Sequence, residues 1–442
     1  MIPLAIEYRS PAALQPHERV ARTHSKKQIK QIAKSIERYG FVTPVLVTRD
    51  GKIIAGHARV AAALLLAMKE VPTVSIDHLS DAERRAYILA DNQLALNAGW
   101  DKRLLALELQ DLSVAGFDLE DTGFSLAEID LVIEAAKEAD PSAGEDATED
   151  EVPPPADHAV TRRGDIWQLG RHRLICGDAR CPEDYAALLE GETVDLLFTD
   201  PPYGCKINGH VSGLGKVKHR EFAMASGEMS DDQFTEFLVS SLSPAAACCK
   251  DGAIAYVFMD WRGAGALIAA GRSAFTEQKQ LCVWNKRSGG MGTFYRSKME
   301  LVFVYKVGTA PHTNTFGLGD TGRYRTNVWD YAGINSMSAT RAEELALHPT
   351  VKPVALIADA LLDCTRRGEI VLDPFGGSGS TLIAAEKSGR VARLIEYDEI
   401  YCDTIIRRYE KYTGKVAVLS GTQETFEDVT VARATSVKKA AA

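Results

Sequence analysis

Apolar residues in the first 140 positions recur first at helical and then at strand spacing. An apolar stripe from Ile29 to Ile36 predicts a helix that Ser25 caps and Gly40 ends. Alternating apolar residues over 44–56, on either side of an Asp-Gly turn, predict a β-hairpin. The other elements predicted here are a helix at 59–68, a strand at 71–76 and a helical pattern over 101–137.

The rest of the chain alternates apolar runs of strand length with longer helical stretches. Such alternation is typical of a doubly wound α/β sheet, in which helices join parallel strands. The predicted strands lie at 174–176, 194–199, 253–259, 281–284, 300–307, 369–372 and 391–395, and the predicted helices at 232–249, 354–366 and 380–388. We therefore expect a Rossmann-like α/β sheet preceded by a small α+β domain.

The negative charge of the chain is concentrated in one segment. Lys and Arg number 51 against 60 Asp and Glu, a formal charge of −9. Eight of these acids and no Lys or Arg lie between Glu138 and His158. The rest of the chain therefore has 51 Lys and Arg against 52 Asp and Glu. Like-charge repulsion and three consecutive prolines predict an extended, solvated linker there. The predicted divisions are a front domain at 1–100, a helical extension at 101–137, an acidic Pro-rich linker at 138–160, a back domain at 161–420 and a flexible tail at 421–442.

Composition excludes several classes of protein. Hydrophobic residues at 45% and charged residues at 25% are typical of a soluble globular protein. The longest apolar stretch, at 60–68, is far shorter than the ~20 residues of a membrane span. The eight cysteines form no CxxC pair and no secretory signal is evident, which favours the cytoplasm. We expect no membrane association and no metal.

One motif couples an apolar strand to a rigid polar turn. The strand predicted at 194–199 runs directly into Asp200, Pro201, Pro202 and Tyr203. The prolines stiffen a turn at the carboxyl end of the strand, where open α/β sheets bind ligands. The Asp200 carboxylate and the Pro201 carbonyl can accept hydrogen bonds there, and the Tyr203 ring can stack. These groups suit an exocyclic amino group on a planar base.

A second motif joins a strand to a helix through glycines. The strand ends at Asp373, and the glycine-rich residues 374–379 lead into a helix near Ser380. Glycines let the backbone approach a ligand closely, and the start of a helix favours an anion. The spacing is neither GxGxxG nor that of a P-loop. The next strand ends at Glu396, in the position where an acid typically holds ribose hydroxyls.

These motifs carry a family resemblance. DPPY, HPTVKP at 348–353, LDPFGGSGST and IEYD, in that order, resemble a β-class amino-group DNA methyltransferase, which uses S-adenosyl-L-methionine. The likeness covers about 164–414. It implies a target base flipped out of the duplex, with the catalytic residues Asp200, Pro201, Pro202 and Tyr203.

The resemblance also implies a cofactor site. Glu396 would bind the ribose, Thr350 and Lys352 would lie near the carboxylate, and Asp178 would lie near the adenine. The full set of cofactor-binding residues is Asp178, Thr350, Lys352, Asp373, Phe375, Gly376, Gly377, Ser378, Gly379 and Glu396.

The choice of base follows from the first residue of DPPY. Aspartate at that position favours the N6 amino group of adenine, whereas serine is commoner in enzymes that modify N4 of cytosine. The chain has no Pro-Cys pair, which argues against C5-cytosine methylation.

Basic residues near the motifs are predicted to contact the phosphates of double-stranded DNA. They are Lys206, Lys216, Lys218 and Arg220 after DPPY, and Lys286, Arg287, Arg296, Lys298 and Lys306 farther on. The stretch 309–347, with Arg323, Tyr324 and Arg325, is the predicted region of sequence recognition.

The front domain carries a second resemblance. The hairpin, the Gly56–Arg59 turn and Asp91-Asn92-Gln93 resemble the N-terminal domain of ParB-like proteins, over about 3–100. In that family the turn cradles nucleotide phosphates, which fits a helix N-terminus. ParB-like proteins usually carry a run of charged residues after this glycine, and here only Arg59 is in place. Sulfiredoxin shares this fold, but no cysteine precedes Cys176, so sulfiredoxin activity is not expected.

Taken together, these patterns predict a ParB-like domain fused to a cytoplasmic adenine-N6 DNA methyltransferase. S-adenosyl-L-methionine is the expected cofactor and double-stranded DNA the expected partner. A nucleotide at the front domain and a homodimer are left open. Two alternatives remain: methylation of cytosine N4, and a ParB-like DNA-binding protein with a vestigial methylase half.

Overall fold

The computed structural model describes residues 4–16, 23–138, 149–156, 158–204, 229–286, 294–316, 325–332 and 351–440. The chain divides into two compact units, Met1–Asp140 and Pro141–Ala442. None of the helices in these stretches is long and apolar enough to cross a membrane.

The first unit is a small α+β domain. Its described strands are β1 (Ile6–Arg9), β2 (Val45–Val47), β3 (Ile53–Ala55) and β4 (Val71–Ser75). Its described helices are α1 (Lys26–Tyr39), α2 (His57–Leu65), α3 (Asp81–Leu96), α4 (Lys102–Val114) and α5 (Leu126–Glu138). The sheet order is β1-β4-β2-β3, with β2 parallel to β4 and the other pairs antiparallel.

Local capping explains where α1 begins and ends. The Ser25 hydroxyl accepts a hydrogen bond from the Gln28 N–H at 3.1 Å, which satisfies one of the free donors at the helix start. The helix ends at Gly40, whose φ of +80° favours glycine. The predicted helix after Ser25 and the predicted hairpin are both confirmed.

The second unit contains a ten-stranded sheet within the described residues. Its strands are β5 (Ile166–Leu169), β6 (His172–Cys176), β7 (Val194–Thr199), β8 (Cys249–Met259), β9 (Glu277–Asn285), β10 (Met299–Lys306), β11 (Val328–Asp330), β12 (Ile370–Asp373), β13 (Val391–Glu396) and β14 (Ala417–Leu419). Its helices are α6 (Pro182–Leu189), α7 (Asp231–Ala247), α8 (Ala264–Ala274), α9 (Val354–Cys364), α10 (Ser380–Ser388), α11 (Glu399–Thr413) and α12 (Phe426–Ala440).

The order of these strands places several ends at one edge. The order is β11-β9-β10-β8-β7-β12-β13-β6-β5-β14, and the run from β8 to β6 is parallel throughout. Since parallel strands end at the same edge, β6, β7, β8, β12 and β13 all deliver their carboxyl ends there. The predicted doubly wound α/β sheet is confirmed.

Strand β10 runs against its neighbours and brings its first residues to this edge. It pairs antiparallel with both β8 and β9, with Leu301 opposite Met259. Glu300 therefore lies where the parallel strands end.

Both faces of the sheet are buried. Val371 belongs to one apolar cluster and the adjacent Leu372 to another, because alternate side chains of a strand point to opposite faces. Helices α9, α10 and α11 contribute to the first cluster, and α6, α7 and α8 contribute to the second.

The carboxyl-terminal region differs from the prediction of a flexible tail over 421–442. Helix α12 lies there, with Phe426 and Val429 buried. The ring of Phe426 meets that of Trp167 edge to face, 5.3 Å between centroids. Arg433 donates to the Val160 carbonyl at 2.7 Å. Phe426 and Val429 are one helical turn apart, and this short apolar stripe is masked in the sequence by polar neighbours.

The end of the acidic segment also differs from a solvated linker. Glu149, Asp150 and Glu151 all contact side chains or backbone of the second unit.

Candidate active site

The two sequence motifs meet at the carboxyl edge of the sheet. Asp200 follows β7 directly, and Asp373 is the last residue of the neighbouring strand β12. The Thr199 hydroxyl donates a hydrogen bond to Asp373 Oδ1 at 3.2 Å. The DPPY turn and the glycine loop 374–379 therefore lie side by side.

Asp200 is held by two side chains. Lys352 Nζ donates to Asp200 Oδ2 at 2.5 Å, and the Tyr203 hydroxyl donates to Asp200 Oδ1 at 2.7 Å. Lys352 Nζ lies 3.1 Å from the Tyr203 hydroxyl as well. The almost fully buried Lys352 ammonium group therefore contacts the DPPY motif. Its predicted place beside the cofactor's carboxylate stays a prediction.

Glu300 joins Asp200, Tyr203 and Lys352 in one cluster, here called the Asp200 cluster. The sequence did not identify Glu300 as a site residue. Its Oε2 lies 3.1 Å from Lys352 Nζ and 3.0 Å from the Tyr203 hydroxyl. Its Oε1 accepts from Lys286, which follows β9. The available signal was an acid at the start of an otherwise apolar strand. Lys286, predicted to contact DNA phosphates, is thus ion-paired within the cluster.

Burial and ion pairing set the protonation of the carboxyl and hydroxyl groups in the Asp200 cluster. Burial raises the pKa of Asp200, and the Lys352 ammonium opposes that rise. Burial alone would also raise the pKa of Glu300, but Lys352 and Lys286 outweigh it and hold that pKa at about 2. Burial and the two carboxylates keep the pKa of Tyr203 well above its ordinary value. Tyr203 therefore remains a hydroxyl donor.

Asp373 shapes the glycine loop from inside. Its Oδ1 accepts the Phe375 N–H at 3.1 Å, and its Oδ2 accepts the Thr381 hydroxyl at 2.6 Å. Burial raises the pKa of Asp373 to about 7, and the hydrogen bonds from Thr381 and Phe375 oppose the rise. The carboxylate thus fastens both ends of the loop to β12.

Glu396 holds the same loop from the next strand. Its Oε2 accepts the Gly377 N–H at 2.7 Å, and its Oε1 accepts the Asp398 N–H at 2.8 Å. Burial raises the pKa of Glu396 to about 7, and these two N–H groups oppose the rise. Because each carboxylate oxygen has two lone pairs, Glu396 retains capacity for further hydroxyl donors.

Two loop glycines leave no room for a side chain. A Cβ on Gly376 would lie 3.1 Å from Ile405 Cδ1. Gly379 has a φ of +83°, and its Cβ would lie 3.2 Å from Ile405 Cγ1. The loop therefore packs directly against α11, and its backbone leads straight into the N-terminus of α10.

A buried arginine, absent from the predicted set, holds the middle of the loop. Arg408 on α11 is 2% exposed. Its Nη1 donates to the Ser378 carbonyl at 2.9 Å, to the Ser378 hydroxyl at 3.2 Å and to the Ser380 hydroxyl at 3.1 Å. In the sequence it is one of two adjacent arginines on a polar helix, which offers no signal of this role.

Asp178 lies at the same edge but is already paired. It follows β6, and the preceding Gly177 N–H donates to the Glu396 carbonyl at 2.9 Å. Arg180 donates to its carboxylate at 2.7 and 3.0 Å. Burial would raise the pKa of Asp178, but the Arg180 hydrogen bonds outweigh it and lower that pKa. Its assignment to the cofactor's adenine stays a prediction.

Several predicted residues lie outside the described part of the chain. Thr350 is one of them, and the others are basic or aromatic residues predicted to meet DNA: Lys206, Lys216, Lys218, Arg220, Arg287, Arg323 and Tyr324. Within the described residues, no group of three or more His, Cys, Asp and Glu side chains is arranged to hold a metal ion.

The first unit has a cavity of about 410 Å³ at the N-terminus of α2. Its lining includes the predicted Gly56–Arg59 turn and residues 91–93, together with His24, which precedes α1, and Gln28 of α1. Gly56 has a φ of +108°, and a Cβ there would lie 3.1 Å from Arg59 Nη2. Burial lowers the pKa of Arg59, while the Asp91 carboxylate opposes it.

Three family models match consecutive parts of the chain. The model of the ParB N-terminal domain matches residues 6–93, that of the ParB-methyltransferase HTH domain matches 103–163, and that of a DNA methylase matches 194–407. The chain therefore combines a ParB N-terminal domain with a DNA methylase domain of the N6/N4 type. The match to the HTH domain covers residues 103–137 of the helical extension predicted at 101–137 and continues through the acidic segment to residue 163. The sequence patterns did not predict this domain.

Relatives and solved structures resemble each half separately. The ParB-like nuclease domain-containing protein YnaK of Escherichia coli (strain K12) is 43% identical over 82 residues, 19% of this chain and 94% of that protein. The DNA adenine methyltransferase YhdJ of the same organism is 26% identical over 247 residues, 50% of this chain and 78% of that protein. The structure of PvuII DNA methyltransferase (cytosine-N4-specific) aligns with a TM-score of 0.41 and 15% identity, over 59% of this chain and 94% of that one.

The methylase match confirms the predicted class of enzyme, because the second unit carries a DNA methyltransferase domain of the N6/N4 type. Solved structures similar to this unit include complexes with S-adenosyl-L-methionine, the predicted cofactor. The ParB-like character of the first unit is confirmed as well.

Proposed function

We propose that this DNA methylase transfers a methyl group from S-adenosyl-L-methionine to the N6 amino group of adenine in double-stranded DNA. The observation that carries the proposal is the contact between the two motifs at the sheet edge. Asp200 and Tyr203 follow β7, and the glycine loop follows β12 beside them. A base held by the first would face a ligand held by the second.

The residues of the DPPY turn suit a flipped base. The Asp200 carboxylate and the Pro201 carbonyl would accept the two N–H bonds of the target amino group, and the Tyr203 ring would stack on the base. Each Asp200 oxygen already accepts one hydrogen bond, from Lys352 or Tyr203, and keeps a second lone pair for the amino group. This pairing directs the nitrogen lone pair away from Asp200, towards the glycine loop.

Positioning and charge account for the catalysis that this site can provide. When bound, S-adenosyl-L-methionine supplies a methyl group on a positively charged sulfur. Asp200 stabilises positive charge that develops on the amino nitrogen, and its carboxylate is placed to take the proton that the nitrogen loses. Lys352 and Glu300 are positioning residues, because they contact Asp200 and Tyr203 and hold both side chains in place.

The loop region fits the cofactor's polar groups. Gly376 and Gly379 let the loop backbone lie against α11 just before the N-terminus of α10, and Glu396 offers a carboxylate for ribose hydroxyls. Phe375 and Ser378 belong to the same loop. We assign the methionine portion to residues 373–379 and the ribose to Glu396.

Adenine is the preferred base for two reasons. The first residue of the motif is Asp200, and among similar proteins the curated name of YhdJ is that of an adenine methyltransferase. Methylation of cytosine N4 is the alternative that the same geometry permits.

The test incubates the purified chain with duplex DNA and labelled S-adenosyl-L-methionine, then analyses the nucleosides. We expect labelled N6-methyladenine. Labelled N4-methylcytosine would contradict the base assignment, and unlabelled DNA would contradict the enzymatic function and favour a vestigial methylase half.

Asp200→Ala should reduce transfer by roughly 10²–10³-fold or more, because a charged acceptor aimed at the reacting amino group is lost. Affinity for S-adenosyl-L-methionine, measured by calorimetry, should change little. The control is Glu190→Gln, which removes an exposed carboxylate paired with Arg173, far from the edge of the site. Transfer that survives in Asp200→Ala would contradict the catalytic assignment.

We also propose that the cavity of the first unit binds a nucleotide. The observation that favours it is the 410 Å³ cavity where the Gly56–Arg59 turn opens α2. A helix N-terminus and one guanidinium group suit a phosphate.

A further inference from the structure

Residues 149–151, the described end of the acidic segment, contact three elements that carry the active site. The contacts involve α9, α10 and α11. We call these three residues the strap. In the sequence they are part of a solvated linker, and their contacts show that they belong structurally to the methylase unit.

The first contact joins the strap to the glycine loop through Arg408. Arg408 Nη2 donates to the Glu149 carbonyl at 2.7 Å, while its Nη1 donates to Ser378 and Ser380. One rigid guanidinium therefore bridges the strap and the loop. Burial lowers the pKa of Arg408 to about 10, and the nearby carboxylates of Asp150 and Glu149 oppose that effect. The strap thus favours the charged form of the arginine that holds the loop.

The second contact lies at the start of α9, close to Lys352 in the chain. Asp150 Oδ1 accepts the Val354 N–H at 2.9 Å, at the first residue of α9. A carboxylate in this position stabilises the start of a helix. Lys352 lies only two residues earlier, and its ammonium group contacts Asp200 and Glu300. Asp150 therefore helps to fix the backbone that presents Lys352.

Two ion pairs flank these contacts. Glu149 Oε2 lies 2.5 Å from Lys387 Nζ on α10, and Glu151 pairs with Lys411 on α11. Helix α10 begins directly after the glycine loop. Both ends of the strap are therefore attached to helices that adjoin the cofactor site.

We propose that the strap positions the glycine loop and the backbone before α9, so that strap docking and cofactor binding favour each other. The inference rests on the proposed cofactor site at residues 373–379. Because such coupling is reciprocal, loss of the strap contacts should weaken cofactor binding, and cofactor should tighten the strap.

The first test removes the strap side chains in the full-length chain, as Glu149→Ala, Asp150→Ala and Glu151→Ala together, because an amide at position 150 could still accept the Val354 N–H. We expect the Kd for S-adenosyl-L-methionine, measured by calorimetry, to rise about 10-fold, within the usual range of coupling between two sites. The KM for the cofactor should rise in parallel, while kcat at saturating cofactor falls less than about twofold. A purely structural role would lower Tm without this separation of KM from kcat.

The control replaces three exposed acids of the same unit in the same way, as Asp232→Ala, Glu236→Ala and Glu427→Ala. This variant loses the same charge and should keep the wild-type Kd. Equal cofactor affinity in the strap variant and the wild type would overturn the inference. A wild type that binds no S-adenosyl-L-methionine would overturn the proposed function instead.

The second test needs no substitution. Hydrogen exchange of the strap amides is measured in the wild type with and without saturating S-adenosyl-L-methionine. We expect slower exchange at residues 149–151 when cofactor is bound, with no change in β1, which belongs to the first unit. Unchanged exchange in the strap, in a protein shown to bind the cofactor, would also overturn the inference.

Discussion

The two units of this methylase place functional side chains in opposite environments. At the sheet edge of the second unit, Asp200, Glu300 and Lys352 are joined by hydrogen bonds and ion pairs. In the cavity of the first unit, Arg59 is half-buried, and Asp91 is exposed. The first arrangement is complete in itself, whereas the second offers donors to a ligand.

This difference has a thermodynamic consequence. Charges buried in a mutually paired cluster contribute to folding, so removal of one leaves its partners uncompensated. Charges that line an open cavity contribute little to folding and more to binding. The same type of substitution should therefore act mainly on stability in the second unit and mainly on affinity in the first.

The largest effect is expected for Lys352→Met. The substitution keeps the shape of the side chain but leaves Asp200 unpaired beside Glu300, both within a buried cluster. We expect a loss of about 3–5 kcal/mol in the free energy of unfolding of the second unit, together with loss of methyl transfer. Urea unfolding followed by tryptophan fluorescence reports on this unit, because four of the five tryptophans lie in it.

A second substitution makes this prediction specific. Glu300→Gln in the Lys352→Met background removes one of the two carboxylates, so part of the lost stability should return. The two single variants and the double variant form a cycle that measures the coupling. A loss of less than about 1 kcal/mol in Lys352→Met would contradict the view of a prebuilt, charge-paired site.

The sequence predicted the two motifs of the second unit because each is contiguous. DPPY and the glycine loop follow apolar strands, and parallel strands in one sheet must end at one edge. Topology alone therefore brings Asp200 and Asp373 together. Asp373 and Glu396 were predicted as ligand contacts, and the structure adds that both already hold the loop.

The residues that sequence reasoning missed depend on contacts between distant segments. Glu300 reaches the site because β10 runs antiparallel and starts where its neighbours end. Arg408 lies 30 residues beyond the serine that it binds. Such partners cannot be predicted from local sequence, because the spacing of apolar residues does not determine strand order or helix packing. The buried face of α12 was missed for the same reason.

The next effect concerns pH. The pKa of Asp373 is about 7 in the folded protein because of burial, against about 3.9 in an unfolded chain. Between these values the folded state binds more protons, so stability falls as pH rises. Asp373→Asn removes this dependence while its amide oxygen can still accept hydrogen bonds. Relative to the variant, the wild type should lose about 2–3 kcal/mol of unfolding free energy between pH 5 and 8.

The control for this prediction is Asp428→Asn. Hydrogen bonds from the Thr425 hydroxyl and N–H lower the pKa of Asp428, so this exposed carboxyl does not titrate between pH 5 and 8. Its substitution should shift stability equally at both pH values. An equal shift at both pH values in Asp373→Asn would contradict the assigned titration.

The smallest effect on stability is expected for Arg59→Gln in the first unit. Because Arg59 lines an open cavity, the free energy of unfolding should change by less than about 1 kcal/mol. Affinity for a nucleotide should fall about 10-fold, since a charge-assisted phosphate contact is lost. Calorimetry with each of the four ribonucleoside triphosphates measures this, and Arg49→Gln, at an exposed arginine of the same unit, is the control. Arg59→Gln could instead lower the free energy of unfolding by several kcal/mol and leave nucleotide affinity unchanged. That result would mean that Arg59 serves folding, as the Asp200 cluster does, and it would contradict the distinction between the two units.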